Sequence, residues 1–152
     1  MAIKQYEIRS LSTALSTYLS TAGWTNLTFK EGFRSEDTIV VPLIAIRYLP
    51  STKKAIQLGG PSGEKLFQRI LQIDAYMETE ARSLAVTDDI MEFLDIVPVT
   101  IVNEAADVLG TLICQDTNSI YSDNSPPILT NPKVLRWRGI IRATLEAHIF
   151  AP

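Results

Sequence analysis

The residue types able to do chemistry are few in this 152-residue chain, and their spacing favours none of the usual reactions. His148 is the only histidine and Cys114 the only cysteine, so a His-rich metal centre is excluded and no Cys/His ligand cluster exists. A Cys114–His148 dyad would need the imidazole to activate the thiol, and no motif surrounds either residue; a buried structural cysteine and a half-exposed strand histidine are the simpler expectation. The segment Gly59-Gly60-Pro61-Ser62-Gly63-Glu64-Lys65 superficially resembles a phosphate-binding loop. Glu64 separates Gly63 from Lys65, Leu66 stands where Ser or Thr is required, and a strand rather than a helix follows, so a plain turn is expected. Asp88 and Asp89 are adjacent acids, but neighbours on a helix point about 100° apart and cannot share a proton or a metal. The Asn26-Leu27-Thr28 sequon matters only in a secreted protein, and the first residues lack the apolar run of a signal peptide. Nothing here supports an enzyme, and no cofactor or metal site is expected.

Two charged groupings survive that filter. Asp88, Glu92 and Asp95, with Asp89 nearby, fall on one side of a helical segment, opposite its apolar arc. Arg136, Arg138 and Arg142 fall on one face of a strand segment. Like charges in such proximity are mildly unfavourable within an isolated element. Both groups can be read as solvated faces. The sharper reading is that one subunit's acidic helix meets a neighbour's basic strand, which would steer and register a head-to-tail ring. A third reading makes the three arginines a nucleic-acid surface. Against it stand a net charge of −3 and the absence of aromatics interleaved on that face, Trp137 lying on the other.

The elements that would carry these groups are legible from periodicity. A central stretch reads as a strand, Lys65–Glu78, running without Gly or Pro into a helix, Thr79–Asp95. Phe67, Leu71, Ile73, Ala75 and Met77 alternate with Gln68, Gln72, Asp74 and Tyr76, the second set expected on a wet face, with Ile70 among it. The helix is expected to bury Leu84, Thr87, Ile90, Met91 and Leu94. Ile8, Leu11, Leu15, Tyr18, Leu19 and Ala22 predict an amphipathic helix over Tyr6–Ala22, capped by Gly23 with Trp24 making the accompanying apolar contact. Leu27–Lys30 is a short strand candidate. Thr38–Tyr48 is strand-like but contains Pro42, which predicts an edge position or a bulge. Val97–Val102 and Val108–Gln115 are further strands, the second weakened by Gly110.

The last strand, Lys133–Ile149, alternates most regularly. Leu135, Trp137, Gly139, Ile141, Ala143, Leu145, Ala147 and Ile149 oppose Arg136, Arg138, Arg142, Thr144, Glu146 and His148. Seventeen extended residues would span about 55 Å, too far for a domain of this size, so the strand must bend at Gly139 or project and pair elsewhere. Long loops are expected near 51–64 and 116–132. Length and composition describe one globular domain, residues 1–152, with no apolar run long enough for a membrane helix and no disulfide, hence an intracellular protein.

The order of parts resembles the tail-completion and tail-terminator proteins of long-tailed bacteriophages. The likeness rests on Ile39-Val40-Val41-Pro42-Leu43-Ile44 after an amphipathic helix, and on Leu71-Gln72-Ile73-Asp74-Ala75-Tyr76 leading into Glu80-Ala81-Arg82-Ser83-Leu84-Ala85. The closing strand Trp137-Arg138-Gly139-Ile140-Ile141-Arg142-Ala143 completes it. It covers most of the chain as a pattern of elements. The expected fold is α+β, a mostly antiparallel sheet packed against an N-terminal and a central helix. The resemblance implies a structural virion subunit, assembled in the host cytoplasm, that forms a homo-oligomeric ring, typically a hexamer, on the tail tube. That ring would stop tail growth and present a surface to the neck and head-completion proteins, DNA merely passing through its lumen. The acidic second half of the central helix and the long 116–132 loop depart from the family's pattern, leaving terminator, adaptor and other neck rings open.

Overall fold

The structure, a computed structural model, describes residues 3–32, 42–50, 56–58, 63–96, 98–115, 121–125 and 137–150. In chain order these form α1 (Ile3–Thr21), β1 (Thr28–Glu31), β2 (Leu43–Leu49), β3 (Ile56–Leu58), β4 (Glu64–Met77), α2 (Glu80–Ile96), β5 (Val99–Val102), β6 (Val108–Cys114), β7 (Tyr121–Ser125) and β8 (Trp137–Ile149). The two longest alternating segments build the frame. β4 and β8 pair antiparallel without a register break, from Lys65 opposite Ile149 to Met77 opposite Trp137. Each then carries shorter strands on its outer side: β2 and β3 along β4, and β6 and β7 along β8. The sheet runs β1-β2-β4-β8-β6-β5, all antiparallel except β1 on β2. The protein is a single α+β domain in which the sheet curls around its two helices.

One face of the sheet meets both helices, because the alternation puts Ile44, Ile46, Leu71, Ile73, Ala75, Met77, Ile141, Ala143, Leu145 and Ala147 on that side. α1 adds Ile8, Leu11, Leu15 and Leu19, and α2 adds Val86, Ile90, Phe93 and Leu94. Each such aliphatic side chain stabilises by about 1.5–3 kcal/mol when fully buried, so this shared layer dominates folding. α1 touches β5 at one edge of the sheet and β1 and β2 at the other, lying across the mouth of the curl. The Ser10 hydroxyl accepts a hydrogen bond from the Val102 amide at 3.1 Å. That contact satisfies a donor on edge strand β5 that would otherwise invite another chain.

The helix ends follow their sequences. The amides of Gly23 and Trp24 donate to the carbonyls of Ser20 and Leu19, closing α1 in a Schellman motif with Gly23 at φ +99°. Thr79 caps α2, its hydroxyl accepting from the Arg82 amide at 3.2 Å, so the helix begins one residue later than expected.

Several expectations are corrected. α2 buries Ser83, Val86, Thr87, Ile90, Phe93 and Leu94, while Leu84 is 45% exposed. The buried arc is rotated because Phe93, the largest apolar side chain of the helix, stacks on Tyr18 of α1 with ring centroids 5.4 Å apart. Pro42 stands before β2 rather than inside it, its carbonyl accepting from the Thr28 amide, and β2 is an interior strand between β1 and β4. Proline at a strand's threshold withholds no ladder donor; residues 38–41 lie outside the described set. β8 does not project: every residue from Trp137 to Ile149 lies opposite β4, and the curl accommodates its length. Residues 133–136 lie outside the described set. The 51–64 and 116–132 stretches each hold a strand, β3 and β7, and so are not plain loops.

Gly110 does not weaken β6. A Cβ there would come within 2.0 Å of the His148 carbonyl oxygen, so glycine is what allows β6 to approach β8 next to the irregularity between Ile101 and Val102.

Candidate functional site

The dyad and the phosphate loop find no support in the arrangement. Cys114 lies opposite Leu145 on the helix-facing side, and His148 lies opposite Leu66 and Thr111 on the other, so thiol and imidazole are on different faces of the sheet. His148 Nε2 instead stands 2.9 Å from Glu64 Oε2, and its ring meets Phe150 edge-on. Lys65 and Glu64 are in strand β4, whereas 59–62 lie outside the described residues. Among the described residues no group of three or more His, Cys, Asp or Glu side chains could hold a metal, and no helix is long and apolar enough to cross a membrane.

The face of the sheet turned away from the helices carries the first candidate grouping. Gln72, Asp74 and Tyr76 on β4 lie opposite Arg142, Ile140 and Arg138 on β8, and Arg47 on β2 lies opposite Gln72. Arg138 donates from Nε and Nη2 to Asp74 Oδ1 at 3.1 and 2.9 Å, and its guanidinium sits 5.7 Å from the centre of the Tyr76 ring. Gln72 Nε2 donates to both Asp74 oxygens, and Arg142 Nε donates to Gln72 Oε1 at 3.0 Å. Asp74 is 1% exposed, with Gln72 and Tyr76 equally covered, which corrects the expectation of a wet face. The carboxylate tolerates burial because a guanidinium and an amide supply its hydrogen bonds. Of the arginines singled out in the sequence, Arg138 is therefore engaged within its own chain, Arg142 is exposed but bonded to Gln72, and Arg136 lies outside the described residues.

The acids of α2 behave differently. Asp88, Glu92 and Asp95 are exposed on the helix's outer side, with Leu84 one turn before Asp88 on the same stripe. Asp88 and Asp95 have no ion-pair partner among the described residues. Asp89 turns aside and accepts a 2.7 Å hydrogen bond from Trp24 Nε1, while Arg82 lies over the Trp24 ring at 5.2 Å and pairs with Glu78. Glu92 and Asp89 stand near Tyr18, whose phenol pKa is pushed up by burial and then by those two carboxylates. The acidic stripe is thus beside the C-terminal end of α1.

Periodicity gave no notice of a second buried polar group, on the helix side. Glu7 of α1 is wholly buried and accepts from Arg69 Nε at 3.1 Å, Arg69 Nη2 at 3.0 Å and Tyr48 Oη at 2.9 Å. The Arg69 guanidinium also covers the Phe67 ring at 4.4 Å. Burial first, and then the Glu7 charge, raise the Tyr48 phenol far above its ordinary value. The available signal was an acid on the otherwise apolar arc of α1 and an arginine on the apolar side of β4, an uneconomical placement unless the two meet.

Between the first turns of α1 and the ends of β1 and β2 lies an open cleft of about 370 Å³, lined by Lys4, Gln5, Ile8, Glu31, Gly32, Ile46, Arg47 and Tyr48. Lys4 and Arg9 on this end of α1 are exposed and have no ion-pair partner among the described residues. With Glu7 neutralised by Arg69, the cations Lys4, Arg9 and Arg47 outnumber Glu31 among the described residues here.

The arrangement offers charged, solvent-facing groups on α1 and α2 carried by a sheet-and-helix frame. Comparison with protein-family models and with curated proteins found no match.

Proposed function

We propose that the chain is a structural subunit of a long-tailed bacteriophage, a tail-completion or tail-terminator protein that works by forming a ring on the tail tube and joining it to the neck. The observation that carries this reading is the central unit of the fold: β4 runs into α2 across Glu78 and Thr79, the strand-to-helix passage on which the resemblance is sharpest. On the outer face of α2, Asp88 and Asp95 are exposed and have no ion-pair partner among the described residues, as on a surface reserved for another subunit. In this reading the partners are further copies of the chain, the tail tube protein and the head-completion proteins. DNA passes through the lumen without specific contact, and the protein resides in the virion.

The reading predicts that the purified chain forms closed rings, with six subunits the expected number. Native mass spectrometry gives the count, and negative-stain images should show an annulus with an open centre. A chain that stays monomeric at high concentration and low salt, with no steep dependence on partners, rules the ring out.

The alternative, a nucleic-acid binder using Arg136, Arg138 and Arg142, has less to support it. Arg138 is committed to Asp74 and Arg142 donates to Gln72, which leaves little unspent charge on that face for phosphates. Steeply salt-dependent DNA affinity by the monomer would favour it over the ring.

A further inference from the structure

The start of α1 and the end of α2 are charged against their own helix dipoles, although α2 begins favourably with Glu80. An α-helix carries about half a positive charge at its N-terminus and half a negative charge at its C-terminus, so acids belong at the first and bases at the last. α1 has no acid in its first turn; it has Lys4 there and Arg9 just beyond. α2 has no base in its last turn; it carries Asp95 there, after Asp88 and Glu92. The acid nearest the start of α1, Glu7, offers no relief at the surface, because it is buried and held by Arg69 and Tyr48. Each helix end therefore bears a small unfavourable term that the monomer leaves in place.

Asp89 meets Trp24, just past the end of α1, and Phe93 meets Tyr18, so Asp88 and Glu92 lie toward the C-terminal end of α1. From Lys4 to Tyr18 along α1 is roughly 20 Å at ~1.5 Å per residue. Within one subunit Lys4 and the acids Asp88 and Glu92 are too remote to satisfy each other. They can do so between copies, and because the two surfaces differ, the contact is heterologous, the kind that closes into a ring when its rotation permits.

We propose that copies of this chain associate head to tail, the acidic C-terminal half of α2 (Asp88, Glu92 and Asp95, with Leu84 alongside) of one copy docking on the first turns of α1 (Lys4, Arg9) and the adjoining cleft of the next. The occupant is a second copy because Lys4 and Arg9 beside the cleft are opposite in sign to the acidic stripe, and among the described residues neither they nor Asp88 and Asp95 have an ion-pair partner. The inference rests on the ring reading above and replaces the basic face of β8 as the surface that answers the acids. Arg138 is unsuited to that task, since it already neutralises Asp74 inside its own sheet.

The test uses the full chain and two charge-reversal pairs, Lys4→Glu with Arg9→Glu and Asp88→Lys with Asp95→Lys. Every substituted side chain is exposed, and thermal melts check that each variant folds. Sedimentation velocity should show subunit affinity falling about tenfold or more for either pair, as like charges are brought together. The four-fold variant, with both ends reversed, should regain most of the assembly. If wild type forms rings and both pairs assemble as it does, or if the four-fold variant stays as weak as the pairs, this interface is wrong while the ring reading stands. If wild type forms no rings, both fall.

Discussion

Glu7 accepts three hydrogen bonds in a site without water access, two from Arg69 and one from Tyr48, and so ties α1 to β4 and β2 at once. Removing one member leaves the other charge buried and unpaired. Arg69→Ala or Glu7→Ala should therefore cost about 3–5 kcal/mol in urea unfolding, whereas Glu7→Leu combined with Arg69→Met should cost much less. Tyr48 makes the same site sensitive to alkali. Its folded pKa lies above the unfolded value near 10.0, because burial and Glu7 both oppose the phenolate. A raised pKa contributes stability that is complete below the unfolded pKa and is lost progressively as pH rises above it. Stability measured by denaturant unfolding should hold up to about pH 9 and fall beyond about 10, and Tyr48→Phe should flatten that fall. Asp74 follows the same logic on the other face: its cover is paid for by Arg138 and Gln72, so reversing Arg138 would disturb the fold before it reported on any assembly.

At the scale of elements, the long strands explain why so little else is needed to hold the sheet. β4 and β8 pair along their common length, and the shorter strands add to a platform already in register. The buried face of β8 was legible in advance from its alternation, and a one-residue slip against β4 would turn Ile141, Ala143, Leu145 and Ala147 away from the helices. Gly110 shows the opposite case. As a residue it looked like a flaw in β6, and only the nearness of the His148 carbonyl explains it. Gly110→Ala should destabilise by roughly 1–3 kcal/mol or more, read as a lower midpoint of thermal or urea unfolding, because the obstacle is backbone and not a side chain that can swing aside. The phase of α2 was misjudged for a related reason. Leu84 and Phe93 are both apolar, and the choice between them depends on Tyr18, which approaches from another helix.

On the scale of the whole molecule, the proposed interface sets Lys4 and Arg9 of one copy against the α2 acids of the next. An assembly held in register by such charges should loosen with salt, over a range where the screening length falls from about 10 Å at 0.1 M to 3 Å at 1 M. Rings that persist unchanged at 1 M salt would place the main contact on apolar surface instead, with Leu84 on α2 and Val108, Ile113 and Phe150 at the β6–β8 end the exposed candidates. The candidate surface was half legible. The acids of α2 stand out by helical spacing alone, because a solvent-facing stripe depends only on the helix's own period. Their cationic counterpart was sought on β8, where Arg138 is held by Asp74; the interface proposed above uses α1 instead.

Sequence alone determined the elements whose pattern is local: α1 with its Gly23 cap, the passage from β4 to α2, and the alternation of β8. These need no knowledge of neighbours, since periodicity and capping act within a few residues of chain. Tertiary structure decided which charges are spent and which remain. Glu7 finds Arg69 and Asp74 finds Arg138 across more than sixty residues of sequence, and both carboxylates are withdrawn from the surface. No spacing rule reports such pairings, because strand partners are chosen by the burial of whole faces rather than by the groups that happen to meet there. What is left at the surface is the difference between the charges the chain carries and those its own fold consumes.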